Sequence, residues 1–325
     1  MTTTTTPGPT TSRPARRSPR PARGPRIPGS RGAGFWLYLL PGLVLITAII
    51  VVPLVWNVYL SFTAWNGVGT PEWVGTENWE RLLQDAKFWT SFRNSIVLLL
   101  AMVVVPTLTG LVLAAVLFDV IARRFSHRLS SGLRALYYLP QIMPIAITGI
   151  VMGWILRPHD GALNLILRQI GLGDLAHDWL GKPDTAMWAV MAVLVWIQIG
   201  YPVVVFMAAL QRVDPELYEA AELDGAGWFR RFQAITVSAI RPEIFVVTLT
   251  CTIATLKVFG PVYILTGGGP GTSTIVPAYY AYVEFFTASR VGYGAAIATA
   301  LTVVVAVVSI VFVVFQRRLE DKAEA

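Results

Sequence analysis

The chain has 325 residues and a formal net charge of +7, and 54% of its residues are hydrophobic while only 14% are charged. Soluble domains carry roughly 25% charged residues. The polar surface of a soluble domain is therefore missing, and we predict a membrane protein. The basic charge does not indicate nucleic-acid binding, because 7 of the 26 basic residues lie before residue 35 and the others occupy short segments between apolar runs.

Residues 1–34 consist mainly of Thr, Pro, Arg, Gly and Ser, with almost no large apolar side chain. Such a segment cannot bury enough surface to offset the entropy of ordering it. We predict a disordered basic tail that precedes the first membrane helix.

Apolar stretches long enough to cross a bilayer follow the tail, since a spanning helix needs about 20 apolar residues. They predict an all-α integral membrane protein with six transmembrane helices. The predicted helices are 35–62, 94–118, 133–156, 185–210, 243–266 and 294–316.

Basic residues predict the orientation, because they concentrate in cytoplasmic loops. With the N-terminal tail in the cytoplasm, the cytoplasmic segments hold 18 basic residues and the outer segments hold 7. Without the tail the numbers are 11 and 7. Both termini are therefore predicted to be cytoplasmic.

Several kinds of chemistry lack their usual residues. No carboxylate lies well inside a predicted span, which disfavours a secondary carrier driven by an ion gradient. The only Gly-Lys pair, at 181–182, is followed by Pro183 and is no phosphate-binding loop, so ATP hydrolysis by this chain is not expected. No catalytic residues and no metal ligands are predicted, and a membrane-embedded enzyme is disfavoured, because acids, bases, nucleophiles and histidines are scattered. The single cysteine, Cys251, excludes an intrachain disulfide.

One loop between predicted spans, residues 213–242, has a pattern of its own. Asp214 is a good helix N-cap and Pro215 suits the first helical turn. Acidic residues favour the start of this helix, and Gly225 is predicted to end it. A second amphipathic helix is predicted from about Phe229. These features alone leave two interpretations open, an interfacial connector or a helix that inserts into a partner's groove.

The same loop resembles the EAA loop of bacterial ATP-binding-cassette (ABC) importer permeases. The resemblance lies in Glu219-Ala220-Ala221, then Gly225, then Ile235, and the string Glu-Ala-Ala-Glu-Leu-Asp-Gly-Ala at 219–226 is similar to the carbohydrate-import class. The family continues with Leu-Pro where this chain has Val237 and Ser238.

Two further segments resemble the maltose and glycerol-3-phosphate type of sugar permease. One precedes the second predicted span and the other is the glycine-rich turn after the fifth, which is typical of the half that pairs with a different permease. Together with the loop, the resemblance covers about residues 35–316. The residues that carry these two matches are Trp73-Val74-Gly75, Asn78-Trp79, Asp85, Phe88, Phe92, Asn94 and Leu265-Thr266-Gly267-Gly268-Gly269-Pro270.

The resemblance implies a type I ABC importer permease fold in the bacterial plasma membrane, with an extracytoplasmic segment at 63–93, a permease core at 94–316 that includes the EAA loop, and a cytoplasmic tail at 317–325. It implies four kinds of partner besides membrane lipid: a second permease subunit, two copies of an ATP-binding subunit, an extracytoplasmic solute-binding protein and a sugar. ATP with Mg²⁺ is used by the ATPase, and no cofactor is bound by this chain. The implied coupling residues are Glu219, Ala220, Ala221, Asp224 and Gly225.

Candidates for the solute pathway are the polar or aromatic residues within the predicted spans, for which a packing role is the favoured alternative. They are Gln198, Tyr201, Lys257 and Tyr263. A permease for a non-sugar solute remains an alternative to a sugar permease, and a secondary carrier a weaker one.

Overall fold

The computed structural model describes residues 33–121 and 127–324, together with Thr2 and Thr4. The prediction of a disordered tail at 1–34 therefore lies outside the described residues, except that Ala33 and Gly34 begin the first helix. Residues up to Pro53 and residues from Leu54 form two compact units. The first unit contains helix α1 (Ala33–Ile46), a π-helical turn (Thr47–Val51) and the start of α2 (Val52–Leu60).

The second unit continues from α2 into a two-stranded antiparallel hairpin, in which Thr63 pairs with Trp73, and then into a series of helices. The strands are β1 (Thr63–Ala64) and β2 (Glu72–Trp73), and the helices are α3 (Glu77–Gln84), α4 (Ala86–Ala115), α5 (His127–Ile142), α6 (Ile145–Ile155), α7 (Ala162–Gln169), α8 (Pro183–Gln198), α9 (Gly200–Leu210), α10 (Pro215–Leu223), α11 (Trp228–Arg231), α12 (Arg241–Leu256), α13 (Gly260–Leu265), α14 (Pro277–Tyr282) and α15 (Val291–Glu324). π-Helical turns cover Val116–Ile121, Phe232–Val237 and Val283–Thr287, and a 3-10 turn covers Gly173–Leu175.

The helices confirm the all-α membrane fold. In the described part of the chain, four helices are individually long and apolar enough to cross a membrane. Two further segments reach this length only as pairs of helices with a bend between them, and if each pair is counted as one span, the described part of the chain has up to six spans. The pairs are Ser131–Ile142 with Ile145–Ile155, bent by 97°, and Trp228–Val237 with Arg241–Leu256, bent by 76°. The four continuous candidates are Tyr38–Leu60, Ala86–Phe118, Pro183–Leu210 and Val291–Arg318.

Two predicted helices are interrupted rather than continuous. The predicted helix 133–156 breaks at Met143 and Pro144, because proline lacks a backbone N–H and disfavours helical backbone in the residue before it. The predicted helix 243–266 breaks at 257–259, and the next helix restarts with Pro261 in its first turn. Proline at this place suits a helix start but not a helix interior.

Two predicted boundaries also move. Helix α4 begins at Ala86, eight residues before the predicted start at 94, because Asp85 caps it by accepting a hydrogen bond from the backbone N–H of Lys87 at 2.8 Å. Helix α15 continues through the predicted tail at 317–325 as far as Glu324.

The main core packs α4 against α9 and α12. Helices α4 and α9 approach closely at Gly110, where an added Cβ would lie 2.5 Å from the Cβ of Pro202. Val203, Phe206 and Val247 are fully buried here. Helix α4 thus connects two ends of the second unit, which we call the hairpin end (61–93 and 266–290) and the loop end (116–121 and 211–243).

Candidate functional site

The EAA loop (213–242) begins with a capped helix, as predicted. Asp214 Oδ1 accepts a hydrogen bond from the backbone N–H of Glu216 at 3.0 Å. Pro215 occupies the first helical position, where no backbone donor is needed. Helix α10 therefore starts at a fixed residue and needs no contact outside the loop to define that start.

The end of α10 is a complete Schellman motif. The backbone N–H of Ala226 donates to the carbonyl of Ala221 at 2.9 Å, and that of Gly225 donates to the carbonyl of Glu222 at 3.0 Å. Gly225 has φ +74°, a left-handed backbone conformation that favours glycine. Gly227, by contrast, has φ −63° and caps the next helix. Gly225 thus ends the helix as predicted, while the backbone at Gly227 is compatible with any residue.

A buried tyrosine joins α10 to the rest of the loop end. Tyr218 is 2% exposed, and its hydroxyl is 3.0 Å from Thr236 Oγ1, which is also buried. Its ring centroid lies 6.4 Å from that of Phe118, at the end of the α4 span. Tyr218 was not among the predicted site residues, although it is the only aromatic residue in the acidic helix.

Two ion pairs brace the loop further. Arg231 Nη1 lies 2.8 Å from Glu222 Oε2, and the arginine side chain is only 13% exposed. Arg212, just before the loop, pairs with Glu243, just after it. The arginine of this pair is 70% exposed, and solvent-accessible pairs contribute only about 0–1 kcal/mol, so we regard this pair as closing the base of the loop rather than as a main source of stability.

The surface of α10 and the turn after it carries most of the predicted coupling residues. Glu219, Ala220, Asp224 and Gly225 are exposed, and Ala221 is half-buried. Large apolar side chains accompany them on the loop: Leu217 is 54% exposed, Leu223 90% and Phe229 69%. Large exposed apolar groups grouped on one segment mark surfaces that bind a partner.

The candidate pathway residues differ in burial. Gln198 is buried, and its side-chain amide donates to Cys251 Sγ at 3.3 Å between α8 and α12. Tyr201 packs against the main core. Lys257 and Tyr263, in contrast, are exposed. The packing alternative therefore fits Gln198 and Tyr201, whereas Lys257 and Tyr263 are accessible.

Tyr263 belongs to a group of aromatic rings. Its ring centroid is 5.4 Å from that of Phe259, 5.4 Å from that of Tyr282 and 6.2 Å from that of Tyr279. None of the three tyrosines in the group is fully buried: Tyr263 is exposed, and Tyr279 and Tyr282 are half-buried. The group offers flat apolar faces together with hydroxyl groups.

At the hairpin end, a carboxylate network holds the segment before α4. Asp85 Oδ2 accepts hydrogen bonds from the hydroxyls of Tyr280 and Tyr293, each at 2.5 Å. Burial by itself raises the pKa of Asp85, but these two hydrogen bonds and the backbone N–H of Lys87 outweigh burial, so the pKa lies below its usual value. Burial, followed by the hydrogen bond to Asp85, raises the pKa of Tyr280.

Two asparagines in the segments that resemble sugar permeases also donate hydrogen bonds to backbone carbonyls. The side-chain amide of Asn94 donates to the carbonyls of Thr272 and Ile275, at 3.0 Å each. The amide of Asn78 donates to two carbonyls in the hairpin region, those of Ser61 and Thr63. These residues therefore maintain the shape of the hairpin end.

The glycine-rich stretch forms a tight turn, as predicted. Gly267, Gly268 and Gly271 have positive φ values of 55°, 77° and 62°. A Cβ on Gly268 would lie 2.7 Å from Cε1 of Tyr279. Both the backbone angle and this close approach require glycine at position 268.

The described residues thus form an all-α membrane unit with an exposed, capped loop helix at one end. Residues 120–324 match the family described as "Binding-protein-dependent transport system inner membrane component". The chain belongs to this family. It is therefore a membrane-embedded ABC transporter permease, a transport subunit rather than an enzyme, as predicted.

Relatives with named functions agree with this family. A probable ABC transporter permease of Pyrococcus horikoshii is 33% identical over 88% of this chain and 96% of that protein. The probable ABC transporter permease YurN of Bacillus subtilis is 34% identical over 85% of this chain and 93% of that protein. The diacetylchitobiose uptake permease NgcF of Streptomyces coelicolor is 34% identical over 92% of this chain and 85% of that protein.

Solved structures support the fold. A bacterial ABC transporter that imports the acidic polysaccharide alginate matches with a TM-score of 0.73 at 24% identity, covering 89% of this chain and 95% of that chain. At this identity the likeness shows the fold and not the solute.

Proposed function

We propose that this permease subunit imports a sugar and forms half of the pathway with a second permease. The support comes from relatives whose names refer to sugar transport, among them systems for sulfoquinovosyl glycerol, diacetylchitobiose, lactose and trehalose or maltose. The string at 219–226 resembles the same class. A solute-binding protein delivers the sugar from outside.

The proposal places the chain in a bacterial plasma membrane, with the EAA loop and both termini in the cytoplasm. The support is the distribution of basic residues, 11 against 7 without the N-terminal tail. In this orientation the loop end faces the ATPase subunits and the hairpin end faces the solute-binding protein.

The observation that carries the proposal is the exposed, internally braced helix α10. We assign it the coupling role, in which it docks into one of two ATP-binding subunits that use ATP with Mg²⁺. ATP favours the closed ATPase dimer and so shifts the whole assembly between two states. Ala220 and Ala221 allow close approach to the partner, Gly225 provides the turn, and Glu219 and Asp224 supply charge at the contact.

Leu223 is the expected centre of the docking contact. It is 90% exposed, and burying a leucine side chain stabilises a contact by about 1.5–3 kcal/mol. Such a side chain is an anchor of the kind that inserts into a groove on a partner surface.

For the pathway, the accessible candidates Lys257 and Tyr263 are favoured over Gln198 and Tyr201. The ring group around Tyr263 suits a sugar, because the C–H faces of a sugar ring pack on aromatic rings and its hydroxyls bond to phenol groups. The ammonium of Lys257 adds a hydrogen-bond donor with three protons.

Co-purification tests the proposal. The tagged subunit, expressed with its partner genes, is expected to retain a second permease and an ATPase in mild detergent, and the assembly is expected to show sugar-stimulated ATP hydrolysis. Leu223→Asp should weaken retention of the ATPase roughly 10- to 100-fold, the equivalent of burying one leucine. Leu83→Asp is the matched control, since Leu83 is 63% exposed at the hairpin end. Equal retention in both variants would reject the docking role of α10, and stimulation only by a non-sugar solute would reject the substrate class.

A further inference from the structure

An apolar groove of about 590 Å³ lies between α12 and α15 at the loop end. Its walls include Phe245 on α12 and Val311, Phe312 and Phe315 on α15. The ring centroids of Phe245 and Phe315 are 6.3 Å apart. The hydroxyl of Thr248, also on the wall, donates to the carbonyl of Ile244 at 2.7 Å, so it needs no further partner. The groove is therefore suited to a hydrocarbon.

Arginines lie at one end of this groove. Arg241, at the start of α12, is part of its wall. Arg318 follows Phe315 by three residues on α15 and so lies one turn further along the same side of the helix. The carboxylate near Arg241 on α12, Glu243, is already paired with Arg212. Both arginines are exposed, so their guanidinium groups can reach a ligand in the groove.

We propose that the groove binds an anionic phospholipid, with an acyl chain between α12 and α15 and the phosphate on Arg241 and Arg318. An apolar slot that ends at exposed cations matches the two parts of such a molecule, and basic pockets between membrane helices bind anionic headgroups in this way. Guanidinium groups suit phosphate, because their planar forks donate two parallel hydrogen bonds. The inference goes beyond the proposed function and is independent of the solute and of the ATPase contact.

Native mass spectrometry of the complete transporter tests this site. The assembly is exchanged into detergent with defined amounts of phosphatidylglycerol or phosphatidylethanolamine, and retained lipid is counted. We expect phosphatidylglycerol to be retained preferentially, and Arg241→Gln and Arg318→Gln each to lower its affinity about fivefold, since one arginine near a membrane surface contributes about 1 kcal/mol. Arg134→Gln on α5, a half-buried arginine that bonds to Ser131 and lies outside the groove lining, is expected to change nothing.

A second variant tests the apolar part without changing charge. Val311 is 60% exposed in the groove, so Val311→Trp fills the slot with little effect on the core and should displace the lipid. Equal retention of both lipids, or equal affinity in all variants, would overturn the proposal. It would also be overturned if Phe245→Cys cross-linked to a helix of the second permease with no lipid retained, because the groove would then be a subunit contact. Each of these results leaves ATPase retention unchanged, which separates them from a failure of the proposed function.

Discussion

Replacing Gly225 and Gly227 by alanine, one at a time, isolates the backbone geometry that ends α10. Neither glycine has an atom within 4 Å of the position where a Cβ would stand, so neither substitution creates a clash. The two sites differ in backbone angle: Gly225 has φ +74° and Gly227 has φ −63°. The pair therefore compares a left-handed position with an ordinary one in the same exposed turn.

The expected difference follows from these angles. A residue with a Cβ in the left-handed region costs about 1–2 kcal/mol. Replacing glycine by alanine also reduces the freedom of the unfolded chain, which offsets about 0.4–1 kcal/mol at either site. Gly225→Ala should thus destabilise the turn, whereas Gly227→Ala should be neutral or slightly stabilising. The free energy of opening the turn should differ between the two variants by about 1–2 kcal/mol, which is a factor of roughly 5–30 in the fraction of molecules with an open turn.

Hydrogen exchange at the backbone amide of Ala226 measures this opening directly, because that amide donates to the carbonyl of Ala221 in the closed turn. Exchange should accelerate in Gly225→Ala and not in Gly227→Ala, and Gly225→Asn should restore part of the protection, since asparagine tolerates the left-handed region. In proteoliposomes with the partner subunits, Gly225→Ala should hydrolyse more ATP per sugar imported. Equal exchange and equal coupling in the two alanine variants would refute the reasoning.

Three other predictions concern single side chains. Tyr218→Phe leaves the buried hydroxyl of Thr236 unpaired, which costs about 1–3 kcal/mol. Proteolysis within the loop should therefore accelerate, and unchanged proteolysis would contradict a stabilising role for this hydrogen bond. Because the pKa of Asp85 is lowered, its contribution to stability is complete at neutral pH and is lost only as the pH falls through that lowered pKa. Acid should then increase exchange at the amide of Lys87, and an equal increase in Asp85→Asn would contradict this cause. Tyr263→Ala should lower sugar uptake without changing assembly, and normal uptake would remove it from the pathway.

Much of the fold follows from the sequence, because a run of about 20 apolar residues has few alternatives to a membrane helix. The breaks are harder to predict. Pro144 marks where a helix is interrupted, but the 97° bend depends on packing. One turn after that bend, Gly149 permits a close contact, since a Cβ there would lie 2.8 Å from Cγ2 of Ile264. A local pattern contains no information about which helix supplies that neighbour.

The loop shows the same division between local and distant signals. The start and end of α10 depend on Asp214, Pro215 and Gly225, whose effects extend over a few residues and can be read in sequence. The contact of Tyr218 with Thr236 joins residues 18 positions apart. It depends on how the chain reverses after Gly225, and sequence spacing alone does not define that path.

The three attachments of the EAA loop have a mechanical consequence. Tyr218 fixes α10 to Thr236 and to the Phe118 ring, Glu222 fixes it to Arg231, and the Arg212–Glu243 pair closes the base. We therefore expect α10 to move together with the neighbouring ends of α4 and α12. A displacement of α10 is then transmitted to the helix bundle instead of being absorbed by bending of the turn.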